Sequence, residues 1–448
     1  MMEYQLYVEH LNELVEGLVH DHRSAVTSDA KAVQAALDGG APAALRRLVT
    51  IEDRRDAGAF FTSSTLADLA WAPLLPTLDH DSIIVDPACG AGSLLIPGLR
   101  ALLRRTDPWR AANQLRGRDL VGTFVDAARA RLTLTIASSE LLSERLCPSA
   151  LRFPELQQGD ALKQMASLLD GATHIVLNPP YNPIIAPRNC TWAAGKVNHA
   201  ALFTEVTVSH MPTDSRLVAI LPEVLRSGPR YAKWREIIRR TADIDQVVPS
   251  GAFDAQTDVD VFRLYLTKHR PRRVAIPRET VTATHLSSES DSYSRTSPDT
   301  EEHVSKHFQI SVGAVVPHRD PEVGPVSPFA TARELPAWQT VSKLAGERSF
   351  SGRSESPPFV AIRRTSRPGQ VPRALATIVA GTKCVAVDNH LIVARPLDGS
   401  LARCQQLLDL LQQPDTTEWL DDRYRCHHLP VEAIKLIPWA IGGDGTNG

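Results

Sequence analysis

Apolar positions recur at two different spacings along this chain. In YVEHLNELVEGLV (7–19) they return every three or four residues, the period of a helix with one buried face. AVQAALDGGAPAALRRLV (32–49) keeps that period but breaks at Gly39 and Gly40, which predicts two helices. From about residue 51 to 270 the pattern changes. SIIVDP, LVGTFVD, THIVLNPP, RLVAILP, IDQVVPS and VFRLYLT are short apolar runs that read as strands. Helical stretches such as DAARARLTLTIASSELLSERL and AKWREIIRRTA separate several of them. Strand and helix in alternation predict βαβ units, hence an α/β fold with a mostly parallel, doubly wound sheet.

The pattern shifts again at SSESDSYSRTSPDTEE (287–302), which is polar and rich in serine and reads as a linker or flexible loop. Beyond it, FQISVGAVVP, PPFVAIRR, TIVAGTKCVAV and HLIVARP are strand-like and LARCQQLLDLLQ is helical. These predict a smaller α/β domain with more antiparallel character. The expected organisation is a helical N-terminal segment (1–50), a doubly wound domain (51–275), a linker (276–305) and a C-terminal domain (306–448).

Composition adds little to this picture. With 43% apolar and 22% charged residues, the 448-residue chain is ordinary for a soluble globular protein of two or three domains. No apolar run approaches the roughly 18 residues of a membrane span. The start, MMEYQLYVEH, lacks the basic and apolar regions of a signal peptide. Cys89, Cys147, Cys190, Cys384, Cys404 and Cys426 are scattered and form no CxxC pair, so a reducing cytoplasm is expected and a structural zinc site is not. His427 and His428 lack a spaced partner set, and no metal is expected. The net charge is only -2, but basic residues gather locally. One group is Arg226, Arg230, Lys233, Arg235, Arg239 and Arg240. A second is Lys268, Arg270, Arg272 and Arg273, and a third is Arg353, Arg363, Arg364, Arg367 and Arg373. Any one of these alone reads as solvated surface.

Two stretches carry chemistry. In IIVDPACGAGSLLIPGL (83–99) a strand ends at Asp86, and a turn of small residues follows Pro87, from Ala88 to Ser93, before a helix begins. Gly90 and Gly92 let the backbone turn sharply and approach a ligand, and the helix N-terminus adds free N–H donors. This is the crevice at the C-terminal edge of a doubly wound sheet. The dinucleotide fingerprint is not met, because its third glycine is missing and a carboxylate precedes the loop. That carboxylate would repel a pyrophosphate. It suits a ligand with an amine-bearing end, such as S-adenosylmethionine. For the glycines alone, a plain strand-to-helix turn is an equal explanation.

The second stretch is NPPY (178–181), at the end of another predicted strand and so at the same sheet edge. Asn178 offers a carbonyl oxygen. The backbone carbonyl of Pro179 is a second acceptor, aimed by a chain that Pro180 holds extended. Tyr181 supplies a stacking face. Two acceptors and a ring suit an exocyclic amine on a flat heterocycle. Accepting both N–H hydrogens favours a pyramidal nitrogen and frees its lone pair for in-line attack on a sulfonium methyl. No strong general base is required. A Pro-rich turn with a packed tyrosine is the alternative for NPPY in isolation.

With DPACGAG upstream of NPPY, the chain resembles S-adenosylmethionine-dependent DNA adenine-N6 methyltransferases of the order in which the cofactor motif comes first and target recognition last. The resemblance spans about residues 55–270. GAFFTSSTLADLA (58–70) is similar to the family's upstream cofactor segment, G-x-x-x-T-P: Gly58 and Thr62 match, and Ser63 replaces the proline. The resemblance implies cofactor contacts from Phe60, Thr62, Asp86, Pro87, Ala88, Gly90 and Gly92. GDAL (159–162) implies that Asp160, with Ala161, meets the cofactor adenine. Phe253 occupies the place of the aromatic that packs on the flipped base. One position departs from the family. Where G-x-D/E is expected after the second strand, VGTFVD puts Phe124 at the acid's place and an acid two positions later, at Asp126. Asp126 then holds the ribose, or the ribose contact is weaker. Read singly, Asp126 is equally a helix N-cap, Asp160 is a turn or helix-cap acid, Thr62 caps the helix TLADLAWAPLL, and Phe253 is a core aromatic.

The implied activity is methyl transfer to N6 of an adenine flipped out of double-stranded DNA, in restriction-modification or phage defence. A cognate restriction enzyme or a specificity subunit is the further partner. The basic groups suit phosphate contacts. The rival readings are an RNA or protein-glutamine N-methyltransferase, which would lack the upstream segment and the C-terminal domain, and a degenerate subunit that only binds DNA, for which Phe124 argues.

Overall fold

The chain is described by a computed structural model over residues 2–20, 27–56, 58–139, 152–253, 259–269, 302–367, 369–424 and 428–439. Arg270, Arg272, Arg273, His427, Cys147, Cys426 and nearly all of the expected linker lie outside the described residues. The chain divides into two compact units, Met1–Arg226 with Arg230–Asp291, and Ser227–Pro229 with Ser292–Gly448.

The first unit opens with helices α1 (Gln5–His20), α2 (Thr27–Ala35), α3 (Ala41–Leu48), α4 (Ile51–Asp56) and α5 (Ser64–Trp71). The break expected at Gly39 and Gly40 is a kink within Ala36–Gly40, where Asp38 (φ -105°, ψ 83°) and Gly39 (φ 84°) leave helical geometry. Then come β1 (Ile84–Asp86), α6 (Leu95–Leu102), α7 (Pro108–Asn113), β2 (Leu115–Asp119), α8 (Gly122–Ala137), β3 (Leu156–Gln158), α9 (Ala161–Leu168) and β4 (His174–Leu177). A small hairpin of β5 (Pro183–Ile185) and β6 (Lys196–Asn198) precedes α10 (His199–His210), β7 (Arg216–Pro222), α11 (Val224–Ser227), α12 (Ala232–Thr241), β8 (Asp243–Ala252) and β9 (Asp260–Thr267).

Seven strands form one sheet in the order β3-β2-β1-β4-β7-β9-β8. The first five run parallel, and β9 is antiparallel to both β7 and β8. Consecutive strand residues belong alternately to two apolar clusters. Ile84, Val176 and Val218 join one with α1, α5, α6 and α8; Val85, Ile175 and Leu177 join the other with α9, α10 and α12. Successive side chains of a strand point to opposite faces, so the clusters cover the two faces of a doubly wound sheet. The switch in strand order falls between β1 and β4, the place where such sheets bind ligands.

One predicted strand is wrong. LVGTFVD is the entry to α8, and the second strand is LRGRD (115–119). Two arginines hid it from an apolar pattern. Both are tied to backbone carbonyls, Arg116 to Asp170 O (2.5 Å) and Arg118 to Glu155 O (2.6 Å), which lets charged side chains flank a buried strand.

The second unit holds β10 (Phe308–Val312), β11 (Val326–Ala330), β12 (Thr340–Val341), β13 (Glu347–Ser349), β14 (Phe359–Arg363), β15 (Ala376–Val379), β16 (Ala386–Val387), β17 (Leu391–Pro396), α13 (Leu401–Gln412), α14 (Pro414–Arg423) and α15 (Val431–Lys435). Its five-stranded sheet, β10-β17-β14-β15-β12, is antiparallel except for β12 beside β15. The three helices bury one apolar face against it.

The basic groups prove heterogeneous. Arg226, Arg235 and Arg373 are buried. Arg226 pairs with Glu223, and Arg373 is held by Asp421 (2.8 Å), Ser366 Oγ and the Tyr424 carbonyl. These three serve the fold and offer nothing to a phosphate. Arg230, Lys233 and Arg240 are exposed.

Candidate active site

The parallel strands deliver their C-terminal ends to one crevice. Asp86 is the last residue of β1, Asp119 the last of β2, and Asn178 follows β4 directly. The turn after β1 passes through Gly90 at φ 49°, where a Cβ would lie 2.7 Å from the Phe61 ring. Only glycine fits that close approach. Gly92 sits behind the turn against Ala128 of α8 and does not line the cavity.

The cavity is lined by Phe60, Thr62, Asp86, Pro87, Ala88, Gly90, Asp160, Ala161, Asn178 and Pro180 among the residues expected from the sequence. It also contains Asp119, Phe61, Phe124, His199 and Phe203, which had not been singled out as contacts. Asp126 is a correction. It lies outside this cavity, exposed on α8 and ion-paired with Arg129 (3.0 Å). Asp119 stands where the expected acid belongs, and Gly117-Arg118-Asp119 is the G-x-D pattern. The misplaced strand concealed it. Phe124 packs edge-on against Phe61 (4.9 Å) and Tyr4 (5.1 Å) as part of the cavity wall.

Asp86 and Asp119 are both turned inward. Asp86 accepts the Ala88 N–H (3.0 Å); Asp119 accepts from Gly90 (3.0 Å) and Val121 (2.9 Å). Among the described residues neither forms an ion pair. Burial raises the Asp86 carboxyl to about 8, with the Asp119 charge adding to the rise. Burial likewise raises Asp119 to about 6. A buried acid and a half-buried one, both without a cation among the described residues, suit a ligand that brings one, together with hydroxyls for the remaining oxygens. The amine and ribose of S-adenosylmethionine fit that donor set. Asp160 does two things: it caps α9 through Leu162 N (3.1 Å) and lines the cavity.

Asn178 is held from both ends of its amide. Nδ2 donates to the Phe60 carbonyl (3.0 Å) and to Thr62 Oγ1 (2.9 Å). Oδ1 accepts from the Tyr181 hydroxyl (2.9 Å). The two acceptors on Nδ2 fix the amide orientation, so Oδ1 keeps one lone pair for a further donor. The segment 58–62 is pressed onto NPPY, because a Cβ on Gly58 would collide with Pro180. Pro179 is buried. The Tyr181 ring is half-buried and packs against both apolar clusters, edge-on to Phe253 at 6.0 Å, and its hydroxyl also reaches the Ile220 carbonyl (3.0 Å). Tyr181 and Phe253 are thus brought together across 72 positions of chain, beside the cavity rather than in its wall. Burial raises the Tyr181 phenol, so it stays neutral.

Arg131 is the supporting residue the sequence gave no reason to notice. It is buried in α8 and makes no ion pair among the described residues. It donates to Ala91 O and Ser93 Oγ of the cofactor turn on one side and to Ala36 O and Leu37 O on the other. The N-terminal helices are therefore bonded to the turn that shapes the cavity.

The family model described as N-6 DNA Methylase matches residues 45–313. No curated protein matches the chain. Among solved structures it is similar to the Type IIL restriction-modification enzyme MmeI in complex with DNA, at 13% identity and TM-score 0.54, covering 86% of this chain and 70% of that one. The DrdV-DNA complex follows at 11% identity and TM-score 0.46, covering 91% and 58%. A type I restriction-modification methyltransferase subunit from Streptococcus thermophilus is similar at 18% identity and TM-score 0.36, covering 47% and 45%. The chain spans about half the length of the type I modification subunits it matches.

Proposed function

The chain belongs to the N-6 DNA methylase family, and from that premise we propose that it transfers a methyl group from S-adenosylmethionine to N6 of adenine in double-stranded DNA, in a restriction-modification setting. The observation that carries this reading is the Asn178 amide, whose oxygen is aimed by two bonds on its nitrogen, beside two inward acids, Asp86 and Asp119, that form no ion pair among the described residues.

When bound, S-adenosylmethionine supplies a methyl group on an electron-poor sulfur. The residues of this chain do the rest. Asp86 pairs with the amine and Asp119 with the ribose hydroxyls. Asp160, His199 and Phe203 line the same cavity and would meet the adenine ring. Asn178 Oδ1 and the Pro179 carbonyl accept the two hydrogens of the target amine, which localises its lone pair for attack. Tyr181 and Phe253 supply aromatic surface for the base. In a duplex that amine is paired, so the adenine leaves the stack to reach Asn178. A non-catalytic subunit was favoured only by Phe124 at the acid's place, and Asp119 removes that support. A cognate restriction enzyme or specificity subunit fits as a further partner, as does the second unit as a target-recognition domain.

The test is transfer of labelled methyl from S-adenosylmethionine to unmethylated genomic DNA, followed by nucleoside analysis. N6-methyladenine is the expected product. Label found only in RNA or protein would overturn the substrate.

A further inference from the structure

The β5–β6 hairpin begins two residues after Tyr181 and is not used in the site above. Its register pairs Ile184 with Val197 and Ile185 with Lys196. Opposed residues share a face of a hairpin and neighbours alternate. Val197 is buried and Ile184 packs on the apolar core, so that face is inward. The other face presents Pro183, Ile185 and Lys196 to solvent, with Ile185 69% exposed.

An exposed isoleucine is unremarkable on a loose loop, but this hairpin is anchored at three places. Asn198 Nδ2 donates to the Tyr181 carbonyl (3.0 Å), which fixes its root to NPPY. Arg230 donates to the carbonyls of Ala194 (2.6 Å) and Lys196 (2.8 Å). Trp192, in the connecting turn, is buried against Tyr231. Four residues of chain limit Ile185 to about 14 Å from Tyr181.

We propose that this hairpin is a DNA wedge: Ile185 fills the stack left by the departing adenine, and Lys196, beside it, holds a flanking phosphate. The proposal rests on the DNA reading given above. An apolar side chain next to an ammonium, on a rigid projection beside the acceptor site, matches a base stack bordered by phosphates, and isoleucine is among the side chains that enter base steps. The partner is duplex DNA; a protein subunit docking on Ile185 is the competing outcome.

The experiment compares wild type, Ile185→Ala and Lys196→Ala on two duplexes carrying the sequence methylated in genomic DNA. In one the target adenine is paired; in the other its partner thymine is replaced by an abasic site, so the base is already loosened. Ile185→Ala is expected to lower kcat/KM on the paired duplex about tenfold and to recover to within about twofold on the abasic one, since less unstacking remains to be driven. Lys196→Ala is expected to raise KM on both and to reduce the salt dependence of binding by about one phosphate contact. Cofactor affinity and melting temperature report whether either variant is folded. Unchanged activity of folded Ile185→Ala on the paired duplex, or an equal loss on both duplexes, overturns the wedge while leaving the methyltransferase reading intact. A wild type that methylates neither duplex overturns the DNA reading and the wedge with it.

Discussion

The two halves of the cavity are built on opposite principles. The cofactor half contains a buried carboxyl, Asp86, and a half-buried one, Asp119, which desolvation pushes up to about 8 and about 6 and which no cation relieves among the described residues. The acceptor half works with neutral dipoles. Asn178 is hydrogen-bonded at both ends, the Pro179 carbonyl is fixed by its ring and its neighbour's, and the Tyr181 phenol stays protonated. One half waits for a charge, and the other is held in place without one. On the proposed function this is a division of labour: ionisation would govern how the methyl donor binds, and preset geometry would govern transfer.

The largest effect should come from the neutral half. Asn178→Ala is expected to lower the methyl-transfer rate about 10³-fold, the usual cost of losing one preorganised hydrogen-bonding group. Rapid-quench kinetics at saturating cofactor measures it, and calorimetry should give a nearly unchanged cofactor affinity. A loss of affinity as large as the loss of rate would break the comparison. The charged half should behave inversely. Asp86→Ala is expected to weaken cofactor binding roughly 30-fold while the saturated rate is largely kept, as for loss of a charged hydrogen bond. Asp119→Ala should cost about tenfold on the same reasoning, and Asp126→Ala nothing, because Asp126 faces solvent beside Arg129.

Most of the fold was legible because its strands end in distinctive turns. β4 and β7 are continuous apolar runs, and DPACGAG and NPPY mark the ends of β1 and β4. What escaped was the strand that does not look like one. β2 reads LRGRD, and its arginines find backbone partners that only the folded chain provides, so the neighbouring apolar LVGTFVD took its place and Asp126 was put forward instead of Asp119. Reading Gly117 and Asp119 as a spaced pair, in spite of the arginines, would have found the acid. Arg131 could not have been found, since its value lies in four carbonyl and hydroxyl partners from segments up to 95 positions away. The basic groups misled for a similar reason, because burial of Arg226, Arg235 and Arg373 is invisible in a list of charges. The positions of Thr62 and Phe60 were foreseen, but their hold on the Asn178 amide was not.

The division of labour has a direct signature in pH. A carboxyl raised in the folded protein stabilises it at low pH, and that contribution is lost as pH climbs through the raised value, here from 3.8 toward about 8 for Asp86. An ammonium ligand pairs with the ionised form. Its affinity should therefore rise over the same window, by up to about tenfold per pH unit, and level off near 8, where the amine itself loses its proton. Burial lowers the His199 imidazole from its ordinary value. The decisive measurement is the single-turnover rate of methyl transfer from the saturated complex between pH 6.5 and 8.5, with cofactor affinity measured alongside. The expected result is an affinity that tightens with pH and a rate that stays flat within about twofold, because no ionising base acts on the target amine. A rate that titrates in that window, over an affinity that does not, would contradict it.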